Sequence, residues 1–229
     1  MAVRKRLLFL PTLALGLIFT LPAEEKIKTD KGAAVITPIN HATMVVEWSG
    51  KTIYVDPVGQ PAWYKAFPKP DLVLLTHVHG DHYREAVLTA MVGPKTQIVA
   101  PPALAKALDK GLKEKTIALA NGAATDKVGF KLEAVASYNT TAQRKRFHPK
   151  GQGNGYVLNL GGQRIYISGD TEGTPEMRTL KGIDVAFLCM NLPYTMDVAA
   201  AAAAPPLLRR QSITHPHTAA TGARSAMMA

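Results

Sequence analysis

Residues 76–82 constrain this chain more than any other part of its sequence, because metal-ligating side chains follow an apolar run there. The run 72–75 is Leu-Val-Leu-Leu, and the next seven residues read Thr-His-Val-His-Gly-Asp-His. In an extended backbone, residues two apart point to the same side, so His77 and His79 can bind one cation. The segment therefore predicts a metal site at the end of a buried strand.

Asp81 and His82 extend this predicted site to a second cation. Gly80 permits a turn that other residues resist, so the two side chains can swing toward an ion beside the first. Imidazole suits zinc and iron, and a carboxylate lowers the net charge of a close ion pair. We expect two zinc ions, with manganese or iron as alternatives. The competing interpretation is a polar surface loop, but four ligand-type side chains at coordinating spacing rarely coincide.

The motifs of this chain resemble those of a known superfamily. The His-x-His-x-Asp-His of residues 77–82 is similar to the signature of the metallo-β-lactamase fold superfamily of metal-dependent hydrolases. The Gly-Asp-Thr of residues 169–171 resembles its later motif, whose Asp bridges the two metals. His41 and Asp56 resemble the opening of the lactonase-like branch. The resemblance covers residues 33–197 and implies an α/β fold, the αββα sandwich.

The resemblance also implies roles for several single residues. Asp170 would be the bridging carboxylate, although a Gly-Asp dipeptide on its own is more often a turn. Asp56 would orient a ligand imidazole from outside the metal ligands, and its alternative is a turn Asp before Pro57. His41 would contact the substrate or support the site, or it is a hydrogen-bonded His beside the first strand.

The third imidazole of the first metal position is the hardest ligand to assign. Many relatives place a His at a strand end where this chain has Asn139. A subgroup has a Tyr-Asn pair followed by Phe-His-Pro-Lys, which matches residues 147–150. We therefore expect His148 to be the ligand and Asn139 to support the site or contact substrate. The alternative is that His148 is a loop residue whose side chain forms a capping hydrogen bond or binds substrate.

The order of predicted elements agrees with the sandwich. The predicted strands are 33–37, 43–48, 52–55, 97–100, 116–119, 130–135, 156–160 and 164–168, and the predicted helices are 83–91 and 103–111. A short helix begins at Pro175 with Thr174 as its N-cap. Cys189 is the only cysteine and lies in the apolar run 185–190. We therefore expect it to be buried in a strand, with no internal disulfide.

The C-terminal part departs from the superfamily pattern. Relatives continue with a helix and a strand ending in Pro-x-His, which completes the second metal position. Residues 198–229 contain no Asp, Glu, Lys or aromatic residue, so we expect 201–229 to be an atypical, partly disordered tail without a strand. The C-terminal part of the fold would then be incomplete, and our hypothesis is a frameshift or truncated reading frame. His215 or His217 could replace the missing ligand.

The N-terminal residues are typical of an export signal. Arg4, Lys5 and Arg6 precede the uncharged run 7–21, which Pro-Ala-Glu-Glu follows. We predict that residues 1–23 are a signal peptide and that 24–200 are the hydrolase domain. The alternative is an uncleaved membrane anchor, but the run is shorter than the roughly 20 apolar residues that a membrane span needs. The mature protein would be periplasmic or secreted, without membrane contact.

The formal net charge of +10 does not predict a nucleic-acid partner. Much of it lies near the two ends, and the basic cluster 144–146 has no interleaved aromatic residues. We expect a small-molecule substrate, and the residues indicate no oligomeric state. The resulting hypothesis is a hydrolase that uses a metal-bound hydroxide on an ester, lactone, phosphoester or amide. The alternative is a non-catalytic metal-binding protein or inactive remnant with an incomplete second metal site.

Overall fold

The computed structural model describes residues 24–203 and 213–216, which form two β-sheets flanked by short helices. The first sheet contains β1 (Glu25–Thr29), β2 (Gly32–Asn40), β3 (Thr43–Trp48), β4 (Lys51–Val55), β5 (Leu72–Leu74), β6 (Gln97–Ala100) and β7 (Thr116–Ala118), in that order. The second contains β8 (Ala124–Thr125), β9 (Leu132–Ser137), β10 (Gly153–Leu160), β11 (Gln163–Ile167), β12 (Val185–Met190) and β13 (Ile213–Pro216). The helices are α1 (Glu85–Met91), α2 (Pro102–Ala107), α3 (Lys110–Lys113), α4 (Pro175–Arg178) and α5 (Val198–Ala203).

Each sheet is antiparallel at one side and parallel at the other. In the first sheet, β1 to β4 form an antiparallel meander, and β4 to β7 run parallel. In the second sheet, β8 to β11 are antiparallel, and β11, β12 and β13 are parallel. Parallel strands place the loops that follow them at the same sheet edge, so side chains from separate motifs can meet there.

The core explains why the two sheets stack with helices outside. Ile53 and Leu74 of the first sheet share one buried cluster with Leu132 and Leu158 of the second. On the outer faces, Leu88 and Leu104 of α1 and α2 are in a cluster with Val73, while Met177 of α4 is in one with Tyr166. Strands buried on both faces need apolar residues at successive positions, as in the run 72–75. The predicted αββα sandwich is therefore confirmed.

Most predicted elements occur near their predicted positions, and the differences have local causes. β3 and β6 coincide with the predicted runs. The predicted helix 103–111 is two helices, because Leu108 is extended and the Asp109 carboxylate caps the next helix by accepting from the N–H of Leu112. We did not predict β1, which is rich in Lys and Glu and has one buried apolar residue, Ile27. Its strand form comes from pairing with β2.

The prediction that the C-terminal tail has no strand was wrong for residues 213–216. Residues 213–216 form β13, which pairs in parallel with β12 so that His215 is the backbone partner of Cys189. The segment has little apolar pattern of its own, so its strand form depends on the free edge of β12. The prediction that the C-terminal part of the fold is incomplete is not confirmed. The predicted signal peptide, His217 and the remainder of the tail lie outside the described residues.

None of the helices in the described part of the chain is long and apolar enough to cross a membrane.

Candidate metal centre

The candidate ligands lie in loops that follow strands of both sheets. Asp56 directly follows β4, and the loop that begins at Leu75 follows β5 and carries the His-rich motif. Asp170 lies three residues after β11, and His148 lies in the loop between β9 and β10. The fold brings these loops to one edge of the sandwich. All six predicted metal ligands meet there: His77, His79, Asp81, His82, His148 and Asp170.

Three imidazoles form the first ligand group. One donor nitrogen of each of His77, His79 and His148 lies within 4.8 Å of the others. Nε2 of His77 is 3.1 Å from Nδ1 of His79, and the His148 ring centroid is 4.9 Å from that of His79. Desolvation by burial lowers the pKa of His77 well below its usual value and also lowers the pKa of His79. Both rings are therefore neutral at pH 7 and have a lone pair for a cation.

Asp170 lies between this group and His82. Its Oδ2 is 3.3 Å from Nε2 of His148, and its Oδ1 is 3.4 Å from Nε2 of His82. Burial by itself would raise the pKa of Asp170, but the nearby imidazoles, first His82 and then His148, outweigh it and hold the pKa well below its usual range. The carboxylate is therefore ionised, and each oxygen faces a different ligand group. This is the geometry that a bridging carboxylate requires.

A second group contains His41, Asp81 and His82. Nε2 of His41 is 3.0 Å from Oδ2 of Asp81, and this hydrogen bond is the main cause that lowers the pKa of the Asp81 carboxyl. The Asp81 side chain is 53% exposed, whereas His82 is fully buried. Burial would lower the pKa of His82, but Asp170 and Asp56 on its two sides raise it well above its usual value. Surroundings that stabilise a proton there also favour a metal cation.

Asp56 orients His82 from behind. Its Oδ2 is 2.7 Å from Nδ1 of His82 and also accepts a hydrogen bond from the Thr76 hydroxyl at 2.6 Å. Its Oδ1 accepts the backbone N–H of Thr76 at 2.8 Å. Nε2 of His82 is thereby directed at Asp170, the arrangement that often fixes a metal-binding imidazole. Sequence reasoning missed Thr76, whose position inside the His-rich motif was the available signal.

Asn139 supports His148 from beside the candidate ligands. Its backbone N–H donates to the carbonyl of His148 at 2.9 Å, and its side-chain amide donates to the carbonyls of Arg144 and Tyr194 at 2.9 and 2.7 Å. The amide nitrogen is also 3.2 Å from Nδ1 of His148. The side chain thus closes the loop that carries the imidazole.

The donor set fits a small divalent cation. Zinc in tetrahedral coordination has ligand bonds of about 2.0–2.1 Å, which separate neighbouring donor atoms by about 3.3 Å. Three donor pairs, His77 with His79, His148 with Asp170 and His82 with Asp170, are separated by 3.1, 3.3 and 3.4 Å. Nitrogen and carboxylate oxygen donors are those that zinc, iron and manganese accept. A small cavity of about 40 Å³ lies beside Asp170, with His41, Met44 and Phe187 in its lining.

Comparisons with known proteins agree with this geometry. The family profile described as "Beta-lactamase superfamily domain" matches residues 35–215. The chain is 33% identical over 191 residues to a UPF0173 metal-dependent hydrolase of Thermococcus onnurineus, which covers 78% of this chain and 82% of that protein. It is 32% identical over 192 residues to a UPF0173 metal-dependent hydrolase of Nitratidesulfovibrio vulgaris, covering 80% and 79%. A crystal structure of a candidate metal-dependent hydrolase from Parabacteroides distasonis has 38% identity and a TM-score of 0.76, covering 87% of this chain and 89% of that one.

Proposed function

The chain belongs to the metallo-β-lactamase superfamily of metal-dependent hydrolases, and we propose that it uses two zinc ions to hydrolyse an ester, lactone, phosphoester or amide. The observation that carries this proposal is the position of Asp170, whose two oxygens face His148 and His82 separately. A carboxylate with an imidazole group on each side is suited to two adjacent cations. A single-metal site would leave one of these groups without a cation to bind.

The two zinc positions would share Asp170. His77, His79 and His148 would hold the first ion, and Asp81 and His82 would hold the second. His215 or His217 would be a further ligand for the second ion, a proposal that rests on the Thr-His-Pro-His sequence of residues 214–217. When bound, the ions lower the pKa of a water molecule and polarise the carbonyl or phosphoryl oxygen of the substrate. Iron or manganese would satisfy the same donors.

The residues around the ions have their own roles in this proposal. The negative charges of Asp81 and Asp170 reduce the repulsion between two adjacent cations. Asp56 keeps His82 in one orientation through the hydrogen bond to Nδ1. His41 keeps Asp81 in one orientation through the 3.0 Å hydrogen bond between Nε2 of His41 and Oδ2 of Asp81. Rigid ligands bind a metal more tightly because less side-chain entropy is lost on binding.

Metal content is the test of this proposal. The purified mature protein and a His82→Ala variant would be analysed by mass spectrometry of metals, with Asp126→Ala as a control at an exposed loop position. We expect two equivalents in the native protein and in the control, and about one in His82→Ala. One equivalent or none in the native protein would contradict the two-ion centre. A non-catalytic metal-binding protein would then be the better description if one ion is bound, and an inactive remnant if none is.

Hydrolysis would be measured on the same samples. A chromogenic panel would contain an ester, a lactone, a phosphodiester and an anilide, with nitrocefin as a β-lactam. We expect turnover of at least one non-β-lactam class, lost in His82→Ala and retained in Asp126→Ala. Two bound ions without turnover of any class would count against this substrate range.

We also propose that the protein acts in the periplasm or outside the cell. The support is the sequence of residues 1–23, with its basic start and uncharged run. The intact mass of the protein from fractionated cells would show the result: we expect an exported form that begins near Glu24. A full-length form confined to the cytoplasmic fraction would contradict the proposal.

A further inference from the structure

Glu172 is a buried carboxylate two residues after Asp170, and the metal centre described above does not use it. It is 5% exposed. A buried carboxylate is costly unless hydrogen-bond donors surround it. All the donors to the Glu172 carboxylate come from one loop segment, residues 140–144, which leads to His148.

Four hydrogen bonds fasten this segment to Glu172. Oε2 accepts the backbone N–H groups of Thr140 and Thr141 at 2.7 and 2.6 Å and the Thr140 hydroxyl at 3.0 Å. Oε1 accepts from Nη1 of Arg144 at 2.8 Å. Hydrogen bonds to a charged acceptor are roughly twice as strong as neutral ones. The beginning of the loop is therefore tied to the segment that contains Asp170.

The far end of the loop is tied back to its beginning. The Asn139 side chain donates to the carbonyl of Arg144, and the Asn139 backbone N–H donates to the carbonyl of His148. The N–H of Phe147 donates to the carbonyl of Arg144 at 2.9 Å. A displacement of Arg144 would therefore also displace His148.

The segment on the Asp170 side is equally fixed. The Thr171 hydroxyl donates to the carbonyl of Tyr138 at 2.9 Å and accepts the N–H of Tyr138 at 3.0 Å. The backbone N–H of Glu172 also donates to the Tyr138 carbonyl, at 3.1 Å. Asp170 and the start of the loop thus move as one unit, and Glu172 is the side chain that extends this unit toward His148.

We propose that Glu172 is a positioning residue that holds His148 against Asp170 and so sets the affinity of the metal position that His148 completes. The inference rests on the metal centre proposed above. Arg144 offsets the charge of Glu172, so the effect is one of geometry. Residues that orient metal ligands typically change metal affinity by about 10–100-fold when they are replaced.

The test compares Glu172→Gln with the native protein by zinc titration against a competing chelator. Gln has nearly the same size, but it has one accepting oxygen instead of two, so it cannot accept from the threonines and from Arg144 at the same time. We expect one of the two binding constants to weaken by about 10–100-fold. The His148→Ala variant should weaken the same one of the two binding constants. Glu133→Gln is the matched control, because Glu133 of β9 pairs with Arg164 of β11, outside the loop.

Two further measurements separate positioning from a general loss of structure. The double variant Glu172→Gln with His148→Ala should bind metal no more weakly than His148→Ala alone, because the effect acts through His148. In the metal-free protein, the amides of Thr140 and Thr141 should lose hydrogen-exchange protection in Glu172→Gln. If Glu172→Gln does not fold, Arg144→Met removes one bond to the carboxylate and should weaken the same equivalent by a smaller factor.

Other results would overturn the inference. Native metal affinity in folded Glu172→Gln would show that His148 does not need the contact. Additive weakening in the double variant would show that Glu172 does not act through His148. Absence of metal in the native protein would overturn the proposed centre itself, and that failure is visible before any variant is made.

Discussion

At the scale of single residues, the centre depends on groups whose partners are distant in sequence. Asp56 shows this most clearly. Its φ is +44°, a conformation uncommon for residues other than glycine, and its carboxylate contacts His82, 26 residues away. A strained buried residue is retained when the surrounding structure fixes it, and here four contacts within the site do so. The sequence suggested its orienting role only through resemblance.

Asp56→Asn should weaken zinc binding without unfolding the protein. Asn tolerates positive φ and has the same shape, but it loses the charge and one acceptor atom facing His82 and Thr76. We expect the affinity of the equivalent that contains His82 to fall by about 10–100-fold in a chelator competition titration. Asp71→Asn, at an exposed carboxylate that caps the Thr52 N–H, is the control. Equal affinity in native protein and Asp56→Asn would contradict the orienting role.

Cys189 should be chemically inert in the folded protein. Burial, with a smaller contribution from Asp170, raises the pKa of its thiol to about 12, and its Sγ is 3.3 Å from the Thr171 N–H. A thiol that stays protonated is not a nucleophile. We expect no alkylation by iodoacetamide at pH 8 in buffer and complete alkylation in urea, measured by intact mass. Rapid modification of the folded protein would show that the thiol is accessible.

At the scale of elements, strands position the site, and glycines let them approach closely. A Cβ placed on Gly155 of β10 would lie 2.8 Å from the backbone oxygens of Ile167 and Ser168. Both belong to the segment that leads into Asp170. Predicting β10 from its alternating pattern was therefore easier than predicting why it contains glycine, because the reason lies on the neighbouring strand.

Gly155→Ala should destabilise the fold and disturb the centre. The clash is with backbone atoms, which cannot rotate away, and overpacking typically costs about 1–3 kcal/mol. Urea denaturation should show a lower midpoint than for the native protein, and zinc affinity should also fall because the Asp170 segment shifts. Gly93→Ala is the matched control, since its Cβ would make only ordinary contacts at 3.6 Å. Native stability in Gly155→Ala would show that the sheet adapts to the extra methyl group.

Sequence patterns identified the strands that are strongly buried. They missed the strands that form only because a neighbouring strand offers backbone hydrogen bonds. β3 and β6 are apolar enough to be recognised from composition. β1 and β13 are short and weakly patterned, and they are strands because β2 and β12 offer unpaired edges. An edge of this kind is a property of the folded sheet, and no local window of the sequence contains it.

At the scale of the whole molecule, the centre lies between the two halves of the sandwich. The His-rich motif belongs to the first sheet, whereas His148 and Asp170 belong to the second. Ligands from both sheets meet only when the sheets pack on each other. Metal binding and folding are therefore coupled, since the unfolded chain does not hold these donors together.

Removal of metal should lower the thermal stability of the protein. A ligand that binds only the folded state stabilises it by about 2.7 kcal/mol at a free concentration 100 times the Kd. We expect Tm to rise with added zinc and to fall with a chelator, in differential scanning calorimetry. The rise should be smaller in Asp81→Ala than in Asp126→Ala. A Tm independent of zinc would indicate that the donors do not bind the ion in the folded protein.

The order of the residues was enough to predict the local chemistry of the site. The spacing of residues 77–82, the apolar run before them and the Gly-Asp-Thr after β11 indicated the ligands, the superfamily and the sandwich. The packing of the two sheets was needed to show that His148 meets Asp170, that Asn139 supports His148, and that Glu172 holds the intervening loop. The physical reason is that ligand spacing within one turn follows from backbone geometry, whereas distances between loops depend on how the two sheets pack.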